Sequence, residues 1–162
     1  MSRVEISMNR KQFASMAGGG VVASALAVPF LWSVPSSGAT IVTVYKTPTC
    51  GCCKLWVDHL QANGFDVDVR DLPDLRAIKA ENGVSPGLAS CHTALVDGYV
   101  FEGHVPADLV AEVLRDRPDI LGLSVPGMVV GSPGMEMPGQ AAQPYEVLAF
   151  DAQGRVSVYA SR

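Results

Sequence analysis

The chain has 162 residues, of which 48% are hydrophobic and 17% are charged, which is an ordinary composition for a globular protein with room for one domain and an appendage. Its formal charge at pH 7 is −4, and residues 40–162 alone carry nine basic and fifteen acidic residues, a formal charge of −6. This acidic balance excludes nucleic acid as an expected partner, because binding phosphates requires clustered lysine and arginine side chains.

Residues 1–39 have the pattern of an export signal. Basic residues near the start precede a weakly apolar stretch, and small residues lead to a predicted cleavage after Ala39. Arg10 and Lys11 are similar to the pair of a twin-arginine signal with lysine in the second place, and a Sec signal is the other route. An uncleaved membrane anchor is the alternative, which the glycines and prolines of the stretch disfavour. Both interpretations predict that residues 40–162 form a periplasmic domain.

The predicted elements of that domain alternate between strands and helices. Hydrophobic spacing predicts a buried strand at 41–45, a helix from Cys52 that ends at Asn63-Gly64, a strand at 65–69 and a helix at 73–82. A hairpin of 93–96 and 99–101 and a helix opened by Pro106 follow. The last predicted features are a long Gly/Pro/Met loop at 123–143 and a final hairpin of 145–150 and 155–159. This order predicts an α/β, thioredoxin-like fold in which helices flank a central mixed sheet and the C-terminal hairpin is an edge addition.

Three of the four cysteines lie where the first strand passes into the first helix. Cys50 and Cys53 have the C-x-x-C spacing of thiol redox proteins, whereas Cys52 is surplus to that motif. The free amides and the dipole of a helix start favour thiolates, which bind soft metals and attack disulfides. Because neighbours on a helix diverge by about 100 degrees, Cys52 and Cys53 are poorly placed to share one ion but could bridge several.

The fourth cysteine is Cys91, followed by His92, in the turn that enters the third predicted strand. A thioredoxin-like layout would bring this turn to the cysteine loop, so that four sulfurs and an imidazole converge. The alternative is a buried apolar cysteine beside a hydrogen-bonded histidine. His59 and His104 are predicted to have structural or supporting roles.

Three methionines, Met128, Met135 and Met137, lie in the glycine-rich loop. Thioether sulfur selects Cu(I) among biological metals, and a loop of glycine and proline offers little core for methionine to fill. Zinc also accepts sulfur and imidazole, but structural zinc sites usually use two separated ligand pairs. Two plain disulfides are a further alternative for the four cysteines.

The chain resembles the CopG family of periplasmic copper-resistance proteins. The resemblance is carried by long ordered blocks, namely Tyr45-Lys46-Thr47-Pro48-Thr49-Cys50-Gly51-Cys52-Cys53, Trp56-Val57-Asp58-His59-Leu60, Ala89-Ser90-Cys91-His92-Thr93-Ala94, Gly103-His104-Val105-Pro106-Ala107, and Val125-Pro126-Gly127-Met128 with Gly131-Ser132-Pro133-Gly134-Met135-Glu136. It implies a thioredoxin-like fold and a cysteine-bridged cluster of several copper ions, with a role in copper redox handling.

Carried over by residue, the resemblance implies that the four cysteines bridge copper and that His92 and the three loop methionines make further contacts. The resulting hypothesis is a Cu(I)-binding protein of copper resistance, with copper as its cofactor and periplasmic copper-handling or electron-transfer proteins as partners. A copper oxidoreductase activity is an extension of it. The alternative is a thiol-disulfide oxidoreductase that uses Cys50 as nucleophile and Cys53 as resolving thiol.

Overall fold

The computed structural model describes residues 40–162. The predicted export signal, its cleavage position and the membrane-anchor alternative therefore lie outside the described residues. Within residues 40–162, no helix combines the length and apolar character needed to cross a bilayer.

The described domain contains seven strands and three helices. In chain order these are β1 (Ile41–Lys46), α1 (Gly51–Ala62), β2 (Asp66–Asp71), α2 (Arg76–Glu81), β3 (Thr93–Val96), β4 (Tyr99–Gly103), α3 (Ala107–Asp116), β5 (Gly122–Val125), β6 (Glu146–Phe150) and β7 (Val156–Ser161). The predicted alternation of strands and helices is confirmed, although α2 is shorter than predicted.

All seven strands form one sheet in the order β2-β1-β3-β4-β5-β6-β7. The pairs β1–β2 and β4–β5 are parallel, and the other four pairs are antiparallel. The prediction of an α/β fold around a mixed sheet is thus confirmed. The last two strands, β6 and β7, pair with each other, and β7 forms one edge of the sheet.

The strand β5 corrects one part of the sequence interpretation. Residues 123–125 were predicted to open the long loop, but they belong to β5, which pairs with β4 on one side and β6 on the other. All four of its residues are buried. A short strand covered on both faces lacks the alternation of polar and apolar residues that identifies a half-buried strand, so its pattern is weak. The loop proper begins at Pro126.

Two hydrophobic clusters cover the two faces of the sheet. The larger one joins α1 and α3 to five strands, with Trp56 and Phe101 among its fully buried side chains. The smaller one packs Val84 and Leu88, which precede β3, against Val100 and Phe150. Neighbouring residues such as Val100 and Phe101 enter different clusters because successive strand side chains point to opposite faces. This packing fixes α1, and therefore the cysteines at its start, against the sheet.

Candidate metal centre

Cys50, Cys52 and Cys53 lie at the start of α1, in a segment that we call the cysteine turn. Cys50 is the N-cap residue, and its sulfur accepts a hydrogen bond from the backbone N–H of Cys53 at 3.3 Å. That contact satisfies one of the amides that a helix start leaves without an intrahelical partner. Cys50 and Cys53 are joined by a disulfide, whereas Cys52 is a free thiol.

Cys91 lies beside this loop because β1 and β3 are antiparallel neighbours. Tyr45, near the end of β1, pairs with Thr93 at the start of β3, so the segments that follow one strand and precede the other share an end of the sheet. The Cys52 Sγ atom is 3.6 Å from Cys50 Sγ and 3.8 Å from Cys91 Sγ. All four cysteine sulfurs lie within 4.8 Å of one another.

His104 faces the same sulfur from the end of β4. Its Nε2 atom is 3.0 Å from Cys91 Sγ, and its Nδ1 atom is 2.8 Å from the carbonyl oxygen of Pro133. A carbonyl oxygen accepts but cannot donate, so this contact assigns the ring proton to Nδ1 and leaves the Nε2 lone pair directed at Cys91. Burial lowers the pKa of His104, which keeps the ring neutral.

His92 is fully buried between two other aromatic rings. Its ring centroid is 4.4 Å from that of Trp56 and 5.1 Å from that of His104. The Nδ1 atom lies 3.5 Å from Cys91 Sγ, and Nε2 has no hydrogen-bond partner among residues 40–162. Burial lowers the pKa of His92 well below its usual range. A neutral imidazole with an unpaired buried nitrogen is suited to a ligand role.

Cys91 is the meeting point of two donor groups. It belongs to the four-cysteine group and also, with His92 and His104, to a group whose ligand atoms lie within 4.8 Å of one another. Burial raises the pKa of the Cys91 thiol to about 12, and the nearby Cys52 sulfur acts in the same direction. Cys91 therefore keeps its proton in the metal-free protein, and the Nε2 atom of His104 is placed to accept a hydrogen bond from the thiol.

The methionines border this group rather than forming its centre. Met128 is 61% exposed and lines an open groove of about 320 Å³ together with Ser90 and Cys91. Met135 is half-buried, and Met137 is 45% exposed. The structure thus brings together the four cysteines and His92, places Met128 and Cys91 along the same groove, and leaves Met137 partly exposed.

The loop that carries Met135 is nevertheless held against α1. Gly134 has a φ of +81°, and a Cβ atom at this position would lie 2.7 Å from the backbone nitrogen of Trp56 and 3.0 Å from the carbonyl oxygen of Cys52. The neighbouring Pro133 carbonyl binds His104, as described above. The loop backbone at Gly134 therefore packs against the start of α1.

His104 is the residue whose position the sequence interpretation missed. Thr93 pairs with Glu102 in the β3–β4 hairpin, so the same register places Cys91 opposite His104. The Asp97-Gly98 turn predicts that hairpin, and its register could have found the contact. His59 has the predicted structural role, since its Nε2 atom accepts a hydrogen bond of 3.1 Å from the N–H of Ala107 at the start of α3.

The chemistry of these donors fits a soft metal ion. Thiolate sulfur and imidazole nitrogen together suit Cu(I) and zinc, and several sulfurs within mutual reach favour ions that accept bridging thiolates. The carbonyl contact at His104 Nδ1 has the form of the outer hydrogen bond that orients a metal-binding histidine.

Comparison of the chain with known proteins identifies its relatives. A family profile described as "Protein of unknown function, DUF411" matches residues 88–135. A solved structure of copper resistance protein CopG, form 2, is 44% identical, has a TM-score of 0.72, and aligns over 76% of this chain and 98% of that one. Form 1 of the same protein is 45% identical with a TM-score of 0.71, over 75% and 96% of the two chains. No curated protein matches.

The resemblance noted from the motifs is thereby confirmed at the level of sequence identity, fold and coverage. The chain belongs to the family of the copper resistance protein CopG.

Proposed function

We propose that this chain is a periplasmic protein of copper resistance that holds several Cu(I) ions in a cluster bridged by its four cysteines. The observation that carries the proposal is the approach of all four sulfurs to within 4.8 Å of one another. A distance of this size allows one ion to bind more than one sulfur and one sulfur to bridge two ions. His92 and His104 add nitrogen donors on the Cys91 side.

Titration of the reduced chain with Cu(I), in competition with a chelator of known affinity, tests binding. We expect several ions per chain and an affinity far above that of a variant in which Cys50, Cys52 and Cys53 are all replaced by serine. Equal affinities would end the proposal. The same titration with Zn²⁺ distinguishes a copper site from a general thiolate site, because a zinc affinity above that for Cu(I) would contradict copper as the cargo.

The disulfide between Cys50 and Cys53 supports a redox extension of this function. When both residues are thiolates, forming the disulfide releases two electrons, which reduce two Cu(II) ions to two Cu(I) ions. An external thiol reductant then returns the dithiol by supplying two electrons and two protons. Anaerobic mixing of the reduced chain with Cu(II) should remove two Cu(II) signals for each disulfide formed, and a Cys50→Ser/Cys53→Ser variant should lose this activity. Unchanged loss of Cu(II) in that variant would contradict the extension.

The fold around the cysteines and the exposed methionines bear on how copper reaches and leaves the proposed cluster. We infer a thioredoxin-like arrangement, in which the cysteine turn follows β1 and opens α1 at one end of the sheet. The exposed Met128 and Met137 would be transient thioether contacts that pass copper between the cluster and a periplasmic partner. The predicted export signal supports a periplasmic location.

A thiol-disulfide oxidoreductase is the second candidate, favoured by the disulfide between Cys50 and Cys53 at a helix start. This function needs two thiols, so Cys52→Ser and Cys91→Ser variants should retain disulfide exchange with insulin or glutathione. Copper binding by the intact chain without any exchange activity would reject this candidate in favour of the first.

A further inference from the structure

Glu102 is a buried carboxylate that contacts the residues on both sides of Cys91 and His92. It belongs to β4, where it pairs directly with Thr93 of β3, and its side chain has no exposed surface. The ionised form of such a side chain needs strong compensation, because an unpaired charge is strongly destabilised when it is removed from water.

The compensation comes from both ends of the Cys91 segment. The Oε1 atom accepts a hydrogen bond of 2.6 Å from the backbone N–H of Ser90, and the Oε2 atom accepts one of 2.7 Å from the hydroxyl of Thr93. Ser90 and Thr93 immediately flank Cys91 and His92. One carboxylate therefore holds the residue before and the residue after the two predicted ligands.

Lys79 of α2 completes the arrangement. Its ammonium group forms an ion pair with Glu102 Oε1 and donates a second hydrogen bond of 3.1 Å to the Thr93 hydroxyl oxygen. The Lys79 side chain is 14% exposed, so most of this pair is shielded from water. The contacts among Lys79, Thr93 and Glu102 therefore tie α2 to the start of β3.

Stability alone is a weak reason for such a pair. Replacing a buried ion pair with uncharged residues of similar volume is often neutral or stabilising, whereas removing one partner leaves an uncompensated charge. What the pair supplies that an apolar contact cannot is direction, because each of its hydrogen bonds ends on a particular atom of the Cys91 segment.

We propose that the Lys79–Glu102 ion pair is a positioning device for Cys91, holding Ser90 and Thr93 so that the Cys91 sulfur stays 3.8 Å from the Cys52 sulfur. Glu102 acts through the backbone of Ser90 and the side chain of Thr93 and is not itself a metal ligand. The inference rests on the proposed function, since Cys91 is one of the copper donors of that function. The inference assigns a role to Lys79, Thr93 and Glu102, which are not among the predicted copper ligands.

The test compares four variants of the full chain. Glu102→Gln keeps the shape but replaces an acceptor oxygen with a donor, and Lys79→Met/Glu102→Gln removes both charges at similar volume. Thr93→Val removes one hydroxyl and keeps the ion pair. Tyr99→Phe is the matched control, because it removes the 2.9 Å hydrogen bond from the Tyr99 hydroxyl to the Pro118 carbonyl at the start of β4, away from Glu102 and the flanks of Cys91.

Two readouts separate this inference from the proposed function. The first is Cu(I) affinity of the reduced chain by chelator competition. The second uses no metal: phenylarsine oxide, with one arsenic per pair of thiols, bridges Cys52 and Cys91 while the Cys50–Cys53 disulfide remains intact, releasing water. Bridging requires the two sulfurs to be close, so its rate reports on their placement. Thermal unfolding of each variant is measured alongside.

We expect Glu102→Gln and the double variant to lower the Cu(I) affinity by at least about tenfold, the lower end of what losing an outer support costs a metal site, and to slow the bridging reaction as well. Thr93→Val should give a smaller loss in the same direction, and the double variant should unfold close to the temperature of the unaltered chain. Tyr99→Phe should leave both readouts unchanged.

Folded variants whose two readouts stay within about twofold of Tyr99→Phe would overturn the inference, since loss of an outer support is expected to cost about tenfold. Failure of all three test variants to fold would also overturn it, because the pair would then serve the stability of the domain. If the unaltered chain binds no Cu(I), the proposed function fails, and the bridging rates still decide whether the pair positions Cys91.

Discussion

The cysteines and the methionines are held by different kinds of structure. The cysteines lie at the ends of paired strands and in the first turn of a helix, and contacts of 3.6 Å and 3.8 Å link Cys52 to its neighbours. The methionines lie on a loop, where Met128 is 61% exposed. Rigid elements place donors closely enough for tight binding, whereas exposed loop side chains suit brief contacts. The difference predicts that affinity depends on the cysteines and that exchange depends on the methionines.

The largest effect should come from Cys91. A Cys91→Ser variant removes the sulfur that joins the four-cysteine group to the two histidines. Loss of an outer support can lower metal affinity by about 100-fold, and loss of this ligand should lower the Cu(I) affinity by more than that. Chelator competition measures the change, and circular dichroism checks that the fold is intact. A loss below about tenfold would mean that Cys91 lies outside the cluster, because even an outer support is worth that much.

Oxidation of the chain should have the next largest effect. In the disulfide form Cys52 and Cys91 are the free cysteines, so two sulfurs remain where the reduced chain offers four. We expect the oxidised chain to bind fewer Cu(I) ions than the reduced chain, as measured by metal analysis after anaerobic desalting. Equal copper content in both forms, with thiol counts confirming the disulfide, would contradict a four-sulfur cluster.

Exchanging His104 for glutamine should lower Cu(I) affinity by about 10- to 100-fold, because the Nε2 atom beside Cys91 and the carbonyl contact that orients it are both lost. His59→Gln is the matched control, since His59 contacts the Ala107 N–H at the start of α3 instead of a sulfur. Affinity losses of the same size in both variants would indicate a general loss of stability.

A smaller effect is expected from adding a methyl group where the loop that carries the methionines packs against α1. Gly134→Ala should lower the free energy of unfolding by about 1 to 3 kcal/mol more than Gly139→Ala, because overpacking costs that much. Both glycines have positive φ, but the space beyond Gly139 is open. Chemical denaturation of the two variants measures the difference. Equal destabilisation would show that the loop does not press on the cysteine turn.

The smallest change in affinity should follow Met128→Leu and Met137→Leu. These exposed substitutions should change the free energy of unfolding by about 0.5 kcal/mol or less, the usual range for surface positions. They should change the Cu(I) affinity less than any variant above while slowing copper transfer to a chelator. Stopped-flow transfer measures the rate. An affinity loss as large as that of Cys91→Ser would make the methionines permanent ligands and remove the distinction drawn above.

Much of the cysteine site follows from local patterns in the sequence. The apolar run of β1, the cysteines after it and the helical spacing beyond them place the first three sulfurs, and the turn before β3 places Cys91 at the same end of the sheet. His104 required the register of the hairpin, which depends on pairing between residues and not on either strand alone.

Other features have no local signal. The strand β5 is buried on both faces and short, so periodicity does not separate it from the loop that follows. The exposure of Met128 and the contact of Gly134 with α1 depend on the path of a glycine- and proline-rich loop, which hydrophobic patterning does not determine. The role of Glu102 was also missed, because a single acidic residue in a strand does not reveal which backbone atoms it meets.

The distance along the chain between the sulfurs has a consequence for folding. Cys52 and Cys91 are separated by 39 residues and become neighbours when β1 and β3 pair, so the unfolded chain holds a cysteine triplet but not the quartet. A copper cluster bridged by all four sulfurs would discriminate against every partly folded form that lacks this pairing. Metal loading would therefore shift the folding equilibrium toward the finished sheet, and the loaded protein would resist denaturant better than the empty one.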